Sequence, residues 1–325
     1  ADIEATGGSN GGPGIGPGKQ FFVDISEDEV SQYQNEINIS DGKIKATGGG
    51  SNAAGIGGLS HTDVVINIRG GEIEATGGSY GAGIGGGNNY NYYGRNDPTV
   101  DESRHSGLVE INILGGNIKA SGGKYASGIG AGAYGRAANV SISGGYVEAT
   151  GGCDDKNYGA AGVGSGYWPG YYENIFSDKV FEINITGGTV IAKGRGDERG
   201  GAGIGLGASD YEPVKINISG GEVWAYGGGS ANGIGGSYYG NFYGTTEIAI
   251  TGGNVVATGG KFASGIGSGQ KGGAVNISIT GDAKVNAYGQ TFAYAIGKSY
   301  ETTGAVALTL SDTITLWAQN GDKEN

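Results

Sequence analysis

One short pattern, Gly-Gly-x-Ile/Val-x-Ala, returns nine times with small variations and restricts this chain to an architecture built by repetition. It reads ADIEATGG at 1–8, DGKIKATGG at 41–49, GGEIEATGG at 70–78, GGNIKASGG at 115–123 and GGYVEATGG at 144–152. It goes on as GGTVIAKG at 187–194, GGEVWAYGG at 220–228, GGNVVATGG at 252–260 and GDAKVNAYG at 281–289. Two further apolar segments recur inside each unit. One is Gly-Ile-Gly, centred on Ile15, Ile56, Ile84, Ile129, Val163, Ile204, Ile234, Ile266 and Ile296. The other is Ile-Asn-Ile or a variant, as at Ile66–Ile68, Ile111–Ile113, Ile183–Ile185 and Ile216–Ile218. Alternation with period two predicts strands, and three short strands separated by Gly turns make one coil of a solenoid. The fold class expected is all-β: a right-handed parallel β-helix of about nine three-strand coils, a rod ~40–45 Å long at the usual strand spacing.

Composition agrees with the repeat. Of 325 residues 75 are Gly and 5 are Pro, and such a Gly content excludes an α-rich protein because Gly is a poor helix former. A solenoid also escapes the size limit of a single core, since its core grows along one axis. The expectation is therefore a single β-helix domain over residues 1–325. The chain opens inside a first strand at Ile3, starts with Ala1 and contains no Met, which suggests excision from a longer protein with flanking domains. A net charge of −12 without a basic stripe argues against nucleic acid, and no apolar run is long enough for membrane insertion. Cys153 is the only cysteine, so neither an intrachain disulfide nor a Cys-based metal site can form. Ser26 and Glu29 stand at capping-box spacing in 26–34, the one place where a short helix is expected.

Outward positions separate scaffold from function. Glu4, Lys45, Glu74, Lys119 and Glu148 alternate in sign from coil to coil and predict an ionic ladder. The same row then turns apolar at Ile191, Trp224, Val256 and Trp317, with Tyr226 and Tyr288 alongside. The Asn-Ile-Ser/Thr triplets at Asn38, Asn184, Asn217 and Asn276 recur with the repeat and predict a side-chain ladder. Three coils carry long insertions between the Gly-Ile-Gly and Ile-Asn-Ile segments, at 88–107, 167–179 and 237–244. Insertions at one register must project from one edge of the rod, and long coils alternate with short ones, which puts successive loops ~10 Å apart. That step is close to a disaccharide in an extended glycan. Tyr90, Tyr92, Tyr93, Trp168, Tyr171, Tyr172, Tyr238, Tyr239, Phe242 and Tyr243 form the expected sugar platform, with Asn89, Asn91 and Asn241 as polar contacts.

Acidic residues supply the competing readings. Asp97, Asp101, Glu102 and His105 lie within one insertion and could serve a glycosidase or polysaccharide lyase, but precise catalytic groups usually project from rigid elements. Asp154, Asp155, Asp178, Asp197 and Glu198 are candidate Ca²⁺ ligands in turns, without an EF-hand or nonapeptide signature; the expected function requires no cofactor.

The run GGxIxATGG…GAGIGGG…INIxGG, with GAGIGGG at 81–87 and GGAGIGLG at 200–207, resembles Gly-rich repeat regions of secreted and surface proteins of anaerobic Gram-positive bacteria. It is also similar to the β-helical carbohydrate-binding domains of such bacteria. The resemblance implies an extracellular or cell-surface location and a polysaccharide or glycan partner. Where those domains carry an acidic Asp-Gly-Ile-Asp type segment this chain has Gly-Ile-Gly, so none of their binding residues carries over. Non-catalytic carbohydrate binding thus ranks first, a structural stalk or adhesin region second and a polysaccharide-cleaving enzyme third.

Overall fold

A computed structural model describes residues 2–9, 11–17, 35–59, 62–88, 108–134, 138–167, 180–209, 213–240 and 244–322. Over these residues the chain is all-β and forms a right-handed parallel β-helix with three sheets. The first sheet has ten strands, from Asp2–Thr6 to Thr315–Gln319, and holds the Ile-x-Ala segments. The second has eight strands of two residues each, from Ile56–Gly57 to Ile296–Gly297. The third has nine, from Asn35–Ile39 to Val306–Leu310. Eight coils are complete and a partial coil lies at each end. The about nine units of the sequence pattern include these incomplete ones. The expected helix at 26–34 lies outside the described residues.

Identical residues stack because every coil repeats the same register. In the first sheet Ile44 pairs with Ile73 and Ala46 with Ala75, and the next strand adds Ile118 and Ala120. In the third, Ile66 and Ile68 meet Ile111 and Ile113. These ladders and the central Ile or Val of the Gly-Ile-Gly segments from Ile56 to Ile266 are buried and form one continuous core along the rod, with Ile15 and Ile296 partly buried at its ends. Each fully buried Ile or Val contributes about 1.5–3 kcal/mol of hydrophobic stabilisation.

The Gly-Ile-Gly segment differs from a plain third strand. It is an arch: the amide two residues before the central Ile donates to the carbonyl two residues after it, as in Ala82 to Gly86 (2.9 Å) and Ser127 to Ala131 (3.1 Å). The arch drives one Ile into the core and folds its two limbs back together. Its second Gly has a φ that L-residues avoid, +136° at Gly85 and +132° at Gly130. A Cβ on Gly85 would meet the carbonyl oxygen of Gly130 at 1.9 Å, so the coils stack this closely only with Gly there.

Outward side chains form the expected ladders. Glu4, Lys45, Glu74, Lys119 and Glu148 are in register, and Lys45 reaches Glu4 at 3.6 Å. Asn67 donates to Asn38 (3.1 Å), Asn112 to Asn67 (3.0 Å) and Asn217 to Asn184 (2.8 Å). Asn276 is a correction. It pairs with Glu247, in the neighbouring outward row, while Ser278 occupies the asparagine row. Its amide donates to Glu247 at 2.7 Å.

Candidate functional site

The arch explains where side chains converge. Because its limbs return together, residues four or five positions before the central Ile lie beside those four or five positions after it. Tyr158, five before Val163, and Tyr167, four after, have ring centroids 4.6 Å apart. Coil stacking then extends the contact along the rod. Tyr80 stacks on Tyr125 at 5.3 Å with an interplanar angle of 3°, and Tyr125 on Tyr167 at 5.4 Å. The backbone fixes this spacing, since the Tyr167 amide donates to the Tyr125 carbonyl at 2.8 Å.

Arg199 continues the line. Its guanidinium lies 4.6 Å from the Tyr158 ring centroid and 5.7 Å from that of Tyr238. Tyr238 and Tyr239 meet edge-to-face at 4.7 Å, and the Lys271 ammonium sits 5.2 Å from the Tyr239 ring. An aromatic and cationic line thus runs from Tyr80 to Lys271 over six coils, ~24 Å at the usual strand spacing. Phe262, Tyr300 and Phe292 form a further cluster beyond it, with centroids 5.7 and 5.4 Å apart.

The backbone at this edge has a recurring left-handed position. At the corner between the third and first sheets, the left-handed position is Gly in coil after coil, as at Gly71, Gly116 and Gly145. At the corner after the arch a different positive-φ conformation, left-handed helical with φ between 53° and 57°, is held by Tyr134, Ser209, Tyr239, Lys271 and Glu301. A non-Gly residue there costs free energy, and this chain uses Gly freely elsewhere. Tyr134, Tyr239 and Lys271 each join the aromatic line.

One carboxylate is built into the line. Asp154, 7% exposed, accepts the Tyr125 hydroxyl at 2.7 Å and the Tyr158 amide at 2.8 Å. Burial, reinforced by this hydrogen bond and the nearby carboxylate, pushes the Tyr125 phenol well above the usual tyrosine range. Asp155 lies 3.8 Å from Lys124. Asp197 and Glu198 sit in a turn whose Glu198 carbonyl accepts the Ser230 hydroxyl at 2.6 Å. No group of three His, Cys, Asp or Glu side chains converges among the described residues.

Of the expected sugar platform, Tyr238 and Tyr239 fall on the line. Tyr90, Tyr92, Tyr93, Asn89, Asn91, Trp168, Tyr171, Tyr172, Asn241, Phe242 and Tyr243 lie outside the described residues, as do Asp178 and the alternative catalytic set Asp97, Asp101, Glu102 and His105. In the sequence the first residues of these segments follow Asn88, Tyr167 and Gly240. Sequence reasoning missed Tyr80, Tyr125, Tyr158 and Arg199, which precede the arch. The available signal was an aromatic residue four positions before the central Ile, at Tyr80, Tyr125, Phe262 and Phe292.

Three sheets of stacked parallel strands with Gly-Ile-Gly arches define a parallel β-helix with an aromatic edge. The family described as Beta helix repeat matches residues 37–59, 66–88, 111–133, 140–167, 183–208, 216–238 and 248–270, about half of the chain, and the chain belongs to that family. Neither a curated protein nor a solved structure matches it. Among the described residues no helix is long and apolar enough to cross a membrane.

Proposed function

We propose that this protein is a non-catalytic carbohydrate-binding β-helix of the bacterial cell surface or exterior, with the aromatic edge as the floor of its site. The unbroken line from Tyr80 to Lys271 carries this reading. Stacked tyrosines turn their ring faces toward one another, so the line offers ring edges and the cationic N–H groups of Arg199 and Lys271 to a ligand. Sugar hydroxyls pair with such groups. Stacking against the apolar sides of the sugars is the role proposed for the insertion residues Tyr90, Tyr92, Tyr93, Trp168, Tyr171, Tyr172, Phe242 and Tyr243. Asn89, Asn91 and Asn241 add hydrogen bonds. Two coil steps are ~10 Å, so successive long coils suit successive disaccharides of an extended chain. The reading needs no cofactor, and Ca²⁺ would bear on it only by ordering the acidic turns.

Affinity electrophoresis against soluble polysaccharides, with Trp168→Ala and Tyr172→Ala, tests the placement. Both variants should bind at least tenfold more weakly and unfold at the wild-type urea midpoint; unchanged affinity refutes it. A stalk is the second reading, favoured by the mutual coverage of the tyrosine faces and the internal Tyr125–Asp154 bond, which would also serve a purely structural staple. It predicts no affinity in any variant.

A further inference from the structure

The flat outward face of the first sheet carries a separate feature. In the N-terminal coils its middle outward row is ionic, with Glu4, Lys45, Glu74, Lys119 and Glu148 in succession, while the row beside it runs Thr6, Thr47, Thr76, Ser121 and Thr150 up to Lys193, which reaches Glu148 at 2.7 Å. Past Lys193 the middle row holds Trp224, Val256, Asn286 and Trp317 and its neighbour Tyr226, Thr258, Tyr288 and Gln319, with no acid or base in either. On the bordering row Glu222 and Lys284 are opposite in sign. Two of the chain's three tryptophans therefore stand on one uncharged patch.

The patch is regular and open. Its strands pair residue for residue without a bulge from Glu222–Tyr226 to Thr315–Gln319, so the side chains fall on straight rows. Tyr226 is 38% exposed and Trp317 47%, while Tyr288 and Trp317 touch at 4.8 Å with their rings inclined by 52°. Tyr226 and Tyr288 are two strands apart, ~10 Å along the rod, and Trp224 and Trp317 are three apart, ~14 Å.

We infer that this strip is a second binding surface, for the flat face of an uncharged β-1,4-linked polysaccharide in its ordered, insoluble form. Charge selects the ligand. A neutral polymer loses no ion hydration on docking to a patch without charge, whereas a polyanion would meet a chain of net charge −12 and no cation on the rows it covers. Shape selects its form. Side chains held in straight rows on a rigid sheet recur at fixed steps, as the sugars of an ordered array do, and the ~10 Å step between Tyr226 and Tyr288 suits a chain in which alternate sugars present the same face. Cellulose and chitin share this chemistry. The strip lies on a different sheet from the aromatic edge, and the inference stands apart from binding there.

The test is depletion of the full chain from solution by microcrystalline cellulose and by crystalline chitin, with and without Trp224→Ala/Trp317→Ala. Wild type should be retained by at least one solid, and the double variant should lose at least tenfold in retention while its soluble-polysaccharide affinity stays at the wild-type value. Tyr238→Ala should do the reverse. Both tryptophans point outward, and the Tyr288→Ala variant gives the same reading should the double variant fold poorly. No retention of wild type on either solid, or equal retention of the variants, overturns the inference. So does a wild-type dimer in sedimentation that Trp317→Ala converts to monomer, since the strip would then be a contact between two copies.

Discussion

Replacing Gly130 by Ala tests why the coils pack as they do. The residue sits at the second Gly of an arch with φ +132°, and an added Cβ would lie 2.0 Å from the carbonyl oxygen of Gly164 on the next coil. That oxygen is not free to move, because it accepts the Ala131 amide at 2.9 Å. The unfavourable backbone region costs about 1–3 kcal/mol. Forcing the coils apart adds about 1–3 kcal/mol. The lower entropy of the unfolded chain returns only about 0.4–1 kcal/mol. The net expectation is a loss of about 1–6 kcal/mol, read by urea denaturation and, locally, by faster hydrogen exchange at the Ala131 amide. Gly8→Ala is the control, since a Cβ there meets nothing within 4 Å. If both variants unfold within about 0.5 kcal/mol of each other, a range typical of inconsequential surface changes, close approach of the arches is not what requires Gly.

Ile183→Ala removes one rung of the third-sheet ladder, where Ile183 is fully buried, and should cost about 2–5 kcal/mol in the same denaturation assay. Tyr125 is held neutral above its unfolded value of about 10, so its contribution to stability is complete below that pH and is lost as pH rises through the higher folded value. Tyrosine absorbance titration of the native chain should find this phenol silent where exposed tyrosines ionise, and Asp154→Asn should bring its titration down. Asp154→Ala leaves the Tyr125 hydroxyl and Tyr158 amide without their acceptor and should cost about 1–3 kcal/mol by urea denaturation. The hydrogen bond from Lys193 holds the Glu148 carboxyl below its ordinary range, so its stabilisation is present above that range and disappears as pH falls through the depressed value. Lys193→Ala should raise the Glu148 titration seen by NMR and cost less than about 1 kcal/mol, because the pair is partly solvated.

The scaffold was legible because a solenoid prints its core in period two. Ile44, Ile73 and Ile118 occupy equivalent places in the repeat and therefore stack, and the same logic yields the ionic row from Glu4 to Glu148. Asn276 escaped because Asn-Ile-Ser looks alike in two frames, and only strand pairing shows that it sits beside Glu247 rather than in the asparagine row. The arch escaped for a different reason. Its closure runs from an amide to a carbonyl four residues on, a bond that leaves no hydrophobic periodicity. Without the arch, Tyr158 and Tyr167 are nine positions apart and read as parts of separate turns; with it they touch. The left-handed backbone at Tyr239 and Lys271 was equally invisible, since neither residue type announces it.

The most direct measurement is a screen of the purified chain against plant, host and microbial polysaccharides, with Ca²⁺ and with chelator, reading retention and product release on the same samples. Carbohydrate binding at the aromatic edge predicts retention by at least one soluble polysaccharide, no new reducing ends or unsaturated products, and at least tenfold weaker retention of Tyr238→Ala. Product release would contradict it in favour of chemistry at Asp97, Asp101, Glu102 and His105, and absence of retention across the panel would leave a rod whose tyrosines only hold it together.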